Sequence, residues 1–329
     1  MKNLEIYIIT YNRSGFLKNI LNSLTDISLK DCKITVLNNC STDDTESVCG
    51  QFKKSFADFN LVSHKCNIGA GANCVRAIEM SSSLYTWVLC DDDYLDPKDI
   101  GDISAIIEEG AIDLIHVGAH PSGWNHGGEK LTPKQLMEKG YHYFKFGSFL
   151  PCNIFKTKKF QNNIESAYAN LANSYPHFPY LVDMYESSKE VYVSKKQIVT
   201  AKTSGQYYDC STFLLWWMGS CRLLKDRGDV HLAFFDQFSG EQDRQWLISH
   251  MKTMWFNQES TRKVLNNFVD DFFTKTEKQT FYDVIKMHII KNRIKNFLGT
   301  KLYYSIKPIY RYIKSMLTVT AKNRCRIME

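Results

Sequence analysis

Apolar and β-branched residues gather in short runs along the first 118 residues, and between the runs apolar positions recur every three or four residues. "LEIYIIT" (Leu4 to Thr10) is continuous enough for a strand buried on both faces. "SGFLKNILNSL" sets Phe16, Leu17, Ile20, Leu21 and Leu24 at helical spacing. The alternation then repeats. "CKITVLN" predicts a second strand and "TDDTESVCGQFKKSF" a helix capped by Ser41 or Thr42. "LVSH" predicts a short third strand, and "GAGANCVRAIEMS" a helix opening on a glycine-rich turn. "YTWVLC" is a fourth strand, "PKDIGDISAIIEE" a helix with Pro97 near its first turn, and "IDLIHVG" a fifth strand. Such spacing predicts an α/β fold, a mainly parallel sheet flanked by helices. Ligands of these sheets bind beyond the carboxyl ends of the strands. "TYNR", "NNCSTDD" and "DDD" all fall there.

Beyond Gly118 the pattern loosens. "HPSGWNHGGEK" is irregular, "TPKQLMEKG" a short helix, "SFLPCNIFK" (Ser148 to Lys156) a strand, and "KEVYVSKKQIVTA" a strand pair. From Cys210 onward the chain reads as helical, with Trp216, Trp217, Leu223 and Leu224 as expected core. The expected organisation is a domain over 1–209, dividing near 118, and a helical region over 210–329.

Composition narrows the class. Of 329 residues 44% are hydrophobic and only 7 are proline, which fits an ordered globular chain. No apolar run reaches the length of a bilayer span, and "MKNLEIYIITYNR" lacks the layout of a signal peptide. The 10 cysteines form no C-x-x-C pair and no Cys/His cluster with ligand spacing, so reduced cysteines in a cytosolic protein are expected. His120 and His126 lack further partners for zinc. The net charge of +6 is uneven: Lys286 to Glu329 holds eleven Lys/Arg and one acidic residue, leaving −4 on the first 285 residues.

Three chemistries drop out or recede. "NIGAGANC" has Cys74 where G-x-G-x-x-G needs its third glycine, and it follows the third strand rather than the first. No P-loop and no G-x-S-x-G occurs. The three adjacent carboxylates of "VLCDDDYLDP" point elsewhere. At a strand end, such a cluster can hold Mg²⁺ or Mn²⁺ through one or two oxygens, with substrate phosphates and water completing the shell. As a bland alternative, Asp91 caps the next element in a solvated turn.

In order along the chain, "ITYNR", "LNNCSTDDT", "NIGAGAN" and "DDDYLDP" follow the first four strands, and here the sequence resembles the family 2 glycosyltransferases of the GT-A fold. The resemblance covers residues 1–120; beyond them it is diffuse and is similar to bacterial O-antigen and capsule enzymes. It implies a Rossmann-like catalytic domain, with a donor half over 1–118 and an acceptor half over 119–209. It also implies a nucleotide-diphosphate sugar donor, Mn²⁺ or Mg²⁺, and inversion at the anomeric carbon. By position, Thr10, Tyr11 and Arg13 line the nucleotide pocket. Asn38, followed by Asn39, stands where the family has a base-reading Asp, so uridine is not assumed. Asp43 orders its loop, and Asn67 and Asn73 lie near the sugar or ribose. The D-x-D register has two readings: counting back from Pro97 gives Cys90 and Asp92, and direct reading gives Asp91 and Asp93. Asp92 is the expected metal ligand with Asp93 beside it, and Asp91 the contact to sugar or ribose. Trp124 either covers a sugar or plugs the core.

The family commonly takes its general base from a Glu-Asp pair opening a helix; at that place "SYPHFPYL" has Pro176 and His177. With an ordinary pKa of about 6.5, His177 suits a base, or else it packs in an aromatic cluster. Asp183 is the second choice. The tail over 286–328 alternates basic residues with Ile, Leu, Phe and Tyr. Ile289, Ile290, Ile294, Phe297 and Leu298 would form one helix face, and Ile306, Ile309, Tyr310, Ile313 and Leu317 another, lying on an anionic bilayer. No nucleic-acid-binding fold is evident. The expected whole is a peripheral enzyme on the cytoplasmic face, adding a sugar to a lipid-linked glycan in surface polysaccharide synthesis. The rivals are a non-catalytic glycan- or membrane-binding module on a degenerate GT-A scaffold and a sugar-phosphate nucleotidyltransferase.

Overall fold

The computed structural model describes residues 1–25, 29–96, 100–120 and 127–201, then 217–221, 223–224, 226–237, 248, 251–252, 255–256, 259–273 and 275–298. The chain divides into two compact units, Met1–Arg244 and Gln245–Glu329. The boundary expected at 209–210 lies outside the described residues.

The first four apolar runs form β1 (Leu4–Thr10), β2 (Lys33–Asn38), β3 (Asp58–Ser63) and β4 (Tyr85–Cys90), joined by α1 (Ser14–Leu24), α2 (Thr45–Phe52) and α3 (Ala70–Met80). All pair in parallel in the order β3-β2-β1-β4, as crossover connections require. Leu17, Ile20, Leu21 and Leu24 of α1 are all buried, on the face their spacing marked out. They pack with Ile6, Ile8, Ile34, Val36 and Leu89 in one core. α2 starts later than expected, with Asp44 at its cap. Ser41 and Thr42 are held instead by Asn12, whose N–H donates to Ser41 Oγ at 2.9 Å and whose Oδ1 accepts from Thr42 N at 2.7 Å.

The rest of this unit comprises β5 (Asp93–Leu95), α4 (Gly101–Glu109), β6 (Leu114–His120), β7 (Glu129–Leu131), α5 (Pro133–Glu138), α6 (Tyr143–Gly147), β8 (Asn153–Lys156), α7 (Thr157–Gln161), α8 (Ile164–Ala169), α9 (Phe178–Glu186) and β9 (Val191–Ala201). The sheet runs on as β4-β8-β6-β9-β5, with β7 also on β9. β8 is antiparallel to both its neighbours, and β9 is parallel to β6 but antiparallel to β5 and β7. The α/β class stands, with the sheet mixed in its second half.

Several expectations need correction here. "SFLPCNIFK" is extended only from Asn153, because Leu150–Cys152 forms a 3₁₀ turn around Pro151, which has no N–H for a ladder. "KEVYVSKKQIVTA" is one strand, not two. Irregular register against β6 between His116 and Ala119 bends it, so Val191–Val193 pairs with β7 and Val199–Ala201 with β5. Leu223 is 48% exposed, while Trp217 and Leu224 are buried; Trp216 and Pro97 lie outside the described residues. Further on are helices Asp229–Asp236, Glu259–Phe272 and Lys275–Leu298. In the second unit Leu265, Phe268, Val269, Phe281 and Ile285 are buried. Of the expected tail faces, Ile290 is exposed, and the stretch from Ile306 to Leu317 lies outside the described residues. Among the described residues no helix is long and apolar enough to cross a membrane.

Candidate active site

The register of β1 against β4 pairs Ile9 with Cys90, so Thr10 to Arg13 and the aspartates leave the sheet side by side. Thr10 Oγ1 donates to Asp91 Oδ2 at 2.6 Å. The Arg13 guanidinium spans two carboxylates, with Nη1 3.3 Å from Asp91 Oδ1 and Nη2 2.7 Å from Asp92 Oδ2. It lies over the Phe16 ring at 4.7 Å. Asp93 folds back and accepts the Cys90 N–H at 3.0 Å as it enters β5. Ligand atoms of Cys90, Asp92 and Asp93 lie within 4.8 Å of one another.

Electrostatics separates the three carboxylates. Asp91 is 3% and Asp93 7% exposed. Burial pushes Asp91 up to about 6, against the Thr10 hydroxyl and the Arg13 charge. Burial, then the Asp92 charge, pushes Asp93 up to about 8. Asp92 is the open one, its side chain 23% exposed. Burial and the adjacent carboxylates push the Cys90 thiol well up, so it stays neutral. A soft thiol that keeps its proton is no ligand for a hard cation. Two clustered carboxylates, one of them keeping a proton because it is buried, do fit Mg²⁺ or Mn²⁺, whose charge would release that proton.

Beside this turn lies a network of amides. Asn39 N–H donates to the Thr10 carbonyl at 2.9 Å, and Asn39 Nδ2 to Asn67 Oδ1 at 2.8 Å. Asn39 Oδ1 accepts from Ile68 N, and Asn67 Oδ1 also accepts from Gly69 N. Asn38 and Asn73 turn inward. Asn38 binds Ser63 Oγ and Ser41 N, while Asn73 donates to the Leu37 carbonyl and meets His64 Nε2 at 2.9 Å. Both therefore tie loop to strand, and the amides nearest the aspartates' edge are Asn39 and Asn67. Tyr11 is exposed. Asp43 accepts from Ser14 N and from Thr45, which hold its carboxyl below the usual range although burial works to raise it. Sequence reasoning missed Asn12 and His64. Asn12 has φ of 53°, a left-handed turn that Asn tolerates and that lets it grip the next loop.

The expected bases lie elsewhere. His177 is 2% exposed among Phe155 and Tyr175, and its Nε2 meets the Gly147 carbonyl at 2.9 Å. Burial pushes it down to about 4. It braces the chain at Gly147, ahead of β8. Asp183 accepts from Asn163 at 2.6 Å. Asn163 follows α7, whose Gln161 binds carbonyls at the far end of α3, so Asp183 sits toward the opposite edge of the sheet. The structure thus does not bring either side chain to the carboxylate cluster. Trp124 and His126 lie outside the described residues.

The profile of glycosyl transferase family 2 matches residues 5–162, from β1 through α7. The chain carries a family 2 glycosyltransferase domain. Every residue just described at the aspartates' edge falls inside it, and the nucleotidyltransferase rival gives way. Solved structures agree on the fold. S. aureus TarS 1–349 in complex with UDP-GlcNAc superposes with a TM-score of 0.56 at 15% identity, over 89% of this chain and 92% of that one. The mannosyltransferase PcManGT from Pyrobaculum calidifontis, in complex with GDP-Man and Mn²⁺, gives 0.53 at 9% identity, over 90% and 87%. No curated protein matches the glycosyltransferase in sequence.

Proposed function

We propose that this glycosyltransferase moves a sugar from a nucleoside-diphosphate donor, with inversion, to a lipid-linked glycan at an anionic membrane surface, as part of bacterial surface polysaccharide synthesis. The observation that carries the donor half of this reading is the turn at Asp91–Asp93, where two clustered carboxylates, Thr10 and Arg13 meet at one strand edge. Asp92 and Asp93 would hold Mn²⁺ or Mg²⁺, which when bound would supply positive charge for the diphosphate leaving group. Asp91, fixed by Thr10, faces the sugar or ribose. Tyr11, Asn39 and Asn67 border the nucleoside, while Asn38 and Asn73 hold that border in shape. Complexes of the fold relatives with UDP-GlcNAc and with GDP-Man and Mn²⁺ support a donor of this class. His177 acts as a positioning residue for the 147–148 segment rather than as the base.

Thermal unfolding with UDP, GDP, CDP and dTDP, each with and without Mn²⁺, tests the reading. A nucleotide at 100 times its dissociation constant stabilises by about 2.7 kcal/mol, and the midpoint rises by about 4 °C for a chain of this size. One nucleotide should raise it only with metal, and Asp92→Ala should abolish both that shift and transfer. Full activity of Asp92→Ala sinks the assignment.

A further inference from the structure

Arg13 and a cation compete for one carboxylate. The Arg13 fork takes Asp92 Oδ2 at 2.7 Å, and Asp92 is the most open of the three aspartates and so the first that a solvated ion meets. Two positive groups cannot share that oxygen at contact distance without strong repulsion. The backbone of Arg13 is fixed, because its carbonyl accepts the Leu17 N–H at 3.0 Å and the next N–H, of Ser14, is held by Asp43 at 2.8 Å. The side chain rests on the flat face of Phe16 and keeps 21% of its surface exposed. Departure of the guanidinium leaves neither Asp91 nor Asp92 stranded: Asp91 keeps the Thr10 hydroxyl and the Tyr11 backbone, and Asp92 gains the ion. A planar fork that fits a carboxylate fits a phosphate equally well.

Resting on the donor reading above, we infer that Arg13 is an exchangeable counterion. It neutralises Asp91 and Asp92 until a divalent cation takes Asp92, and it then moves its fork to the donor diphosphate. Metal and diphosphate thereby help each other bind through Arg13, beyond their direct contact, and the coupling is reciprocal.

The test is a Mn²⁺ titration followed by electron paramagnetic resonance, on the parent chain and Arg13→Ala, with circular dichroism confirming that both are folded. Without nucleotide, Arg13→Ala should bind Mn²⁺ at least threefold more tightly. At saturating Mn²⁺, the same variant should bind UDP or GDP at least tenfold more weakly, while uridine or guanosine binds it as it binds the parent. The opposed signs matter, since a merely structural role lowers both affinities together. If both fall, or if Mn²⁺ affinity does not change while nucleotide binding still needs metal, the exchange is overturned and the donor reading stands. If neither protein binds Mn²⁺, with or without nucleotide, the exchange and the metal-dependent donor site fail together.

Discussion

Asp93 is a carboxyl that folding keeps protonated. Its pKa is about 8 in the fold, through burial first and the Asp92 charge second, and about 3.9 in an unfolded chain. Between those values the folded state holds a proton that the unfolded state has lost, so this contribution to stability declines from about pH 4 to about pH 8 and levels off above. His116 and His177, pushed down by burial to about 3 and about 4, are neutral in both states above pH 7 and add no slope there. The unfolding midpoint should therefore fall between about pH 7 and 8 without metal, below the range where the buried thiols of Cys32, Cys49 and Cys74, also raised by burial, take over the slope, and Asp93→Asn, measured by calorimetry, should flatten that fall. A slope unchanged in the variant would place the proton elsewhere. Calorimetry at pH 7 should also show Mn²⁺ binding releasing a proton, read from the dependence of the heat on buffer. The carboxylate cluster was legible in the sequence because three aspartates in a row after an apolar strand are rare without a use. The separate roles of the three were not, since exposure, the Thr10 hydroxyl and the Arg13 fork are set by β1 lying beside β4, about 80 residues away in sequence.

Helices and strands with a strong period were equally legible. α1 and β1 needed only the positions of Leu17, Ile20, Leu21 and Leu24 and the run Leu4–Thr10. β5 and β7 escaped because three residues show no period, and β9 read as two strands because its bend depends on β6. The second half of the unit is built on contacts distant in sequence, such as the packing of α6 on α9. A Cβ on Gly147 would lie 2.8 Å from Leu181 Cδ1 and 3.4 Å from His116 Cε1, both buried side chains. Gly147→Ala should cost about 1–3 kcal/mol by overpacking, read from urea unfolding. His177 grips the carbonyl of the same Gly147. His177→Gln, which keeps a donor for that carbonyl, should lower the unfolding midpoint yet retain most turnover at pH 7.5. Loss of turnover by a thousandfold with the fold intact would return His177 to the role of base.

Charge divides the chain in a way that no single element shows. The first 285 residues carry −4, and seven of the eleven basic residues after them lie beyond Leu298. An acidic enzyme and its anionic donor are both repelled by an anionic surface, so what attracts this chain to one must be the basic end. In the second unit a groove of about 370 Å³ has Lys252, His288, Lys291 and one carboxylate, Asp283, around Val284 and Met287. Burial and then the two lysines hold the His288 pKa down. Each basic residue near an anionic leaflet contributes on the order of 1 kcal/mol, and the attraction fades beyond a Debye length of about 8 Å at physiological salt. The chain should thus sediment with vesicles containing phosphatidylglycerol and not with phosphatidylcholine alone, and 0.5 M salt, where screening is stronger (on the order of 4 Å), should release it. A variant ending after Leu298 should lose most of this binding and keep its metal-dependent nucleotide shift. If the shortened chain loses nucleotide binding and midpoint together while the full chain ignores vesicles, the tail packs on the protein and its basic face is a solvated surface.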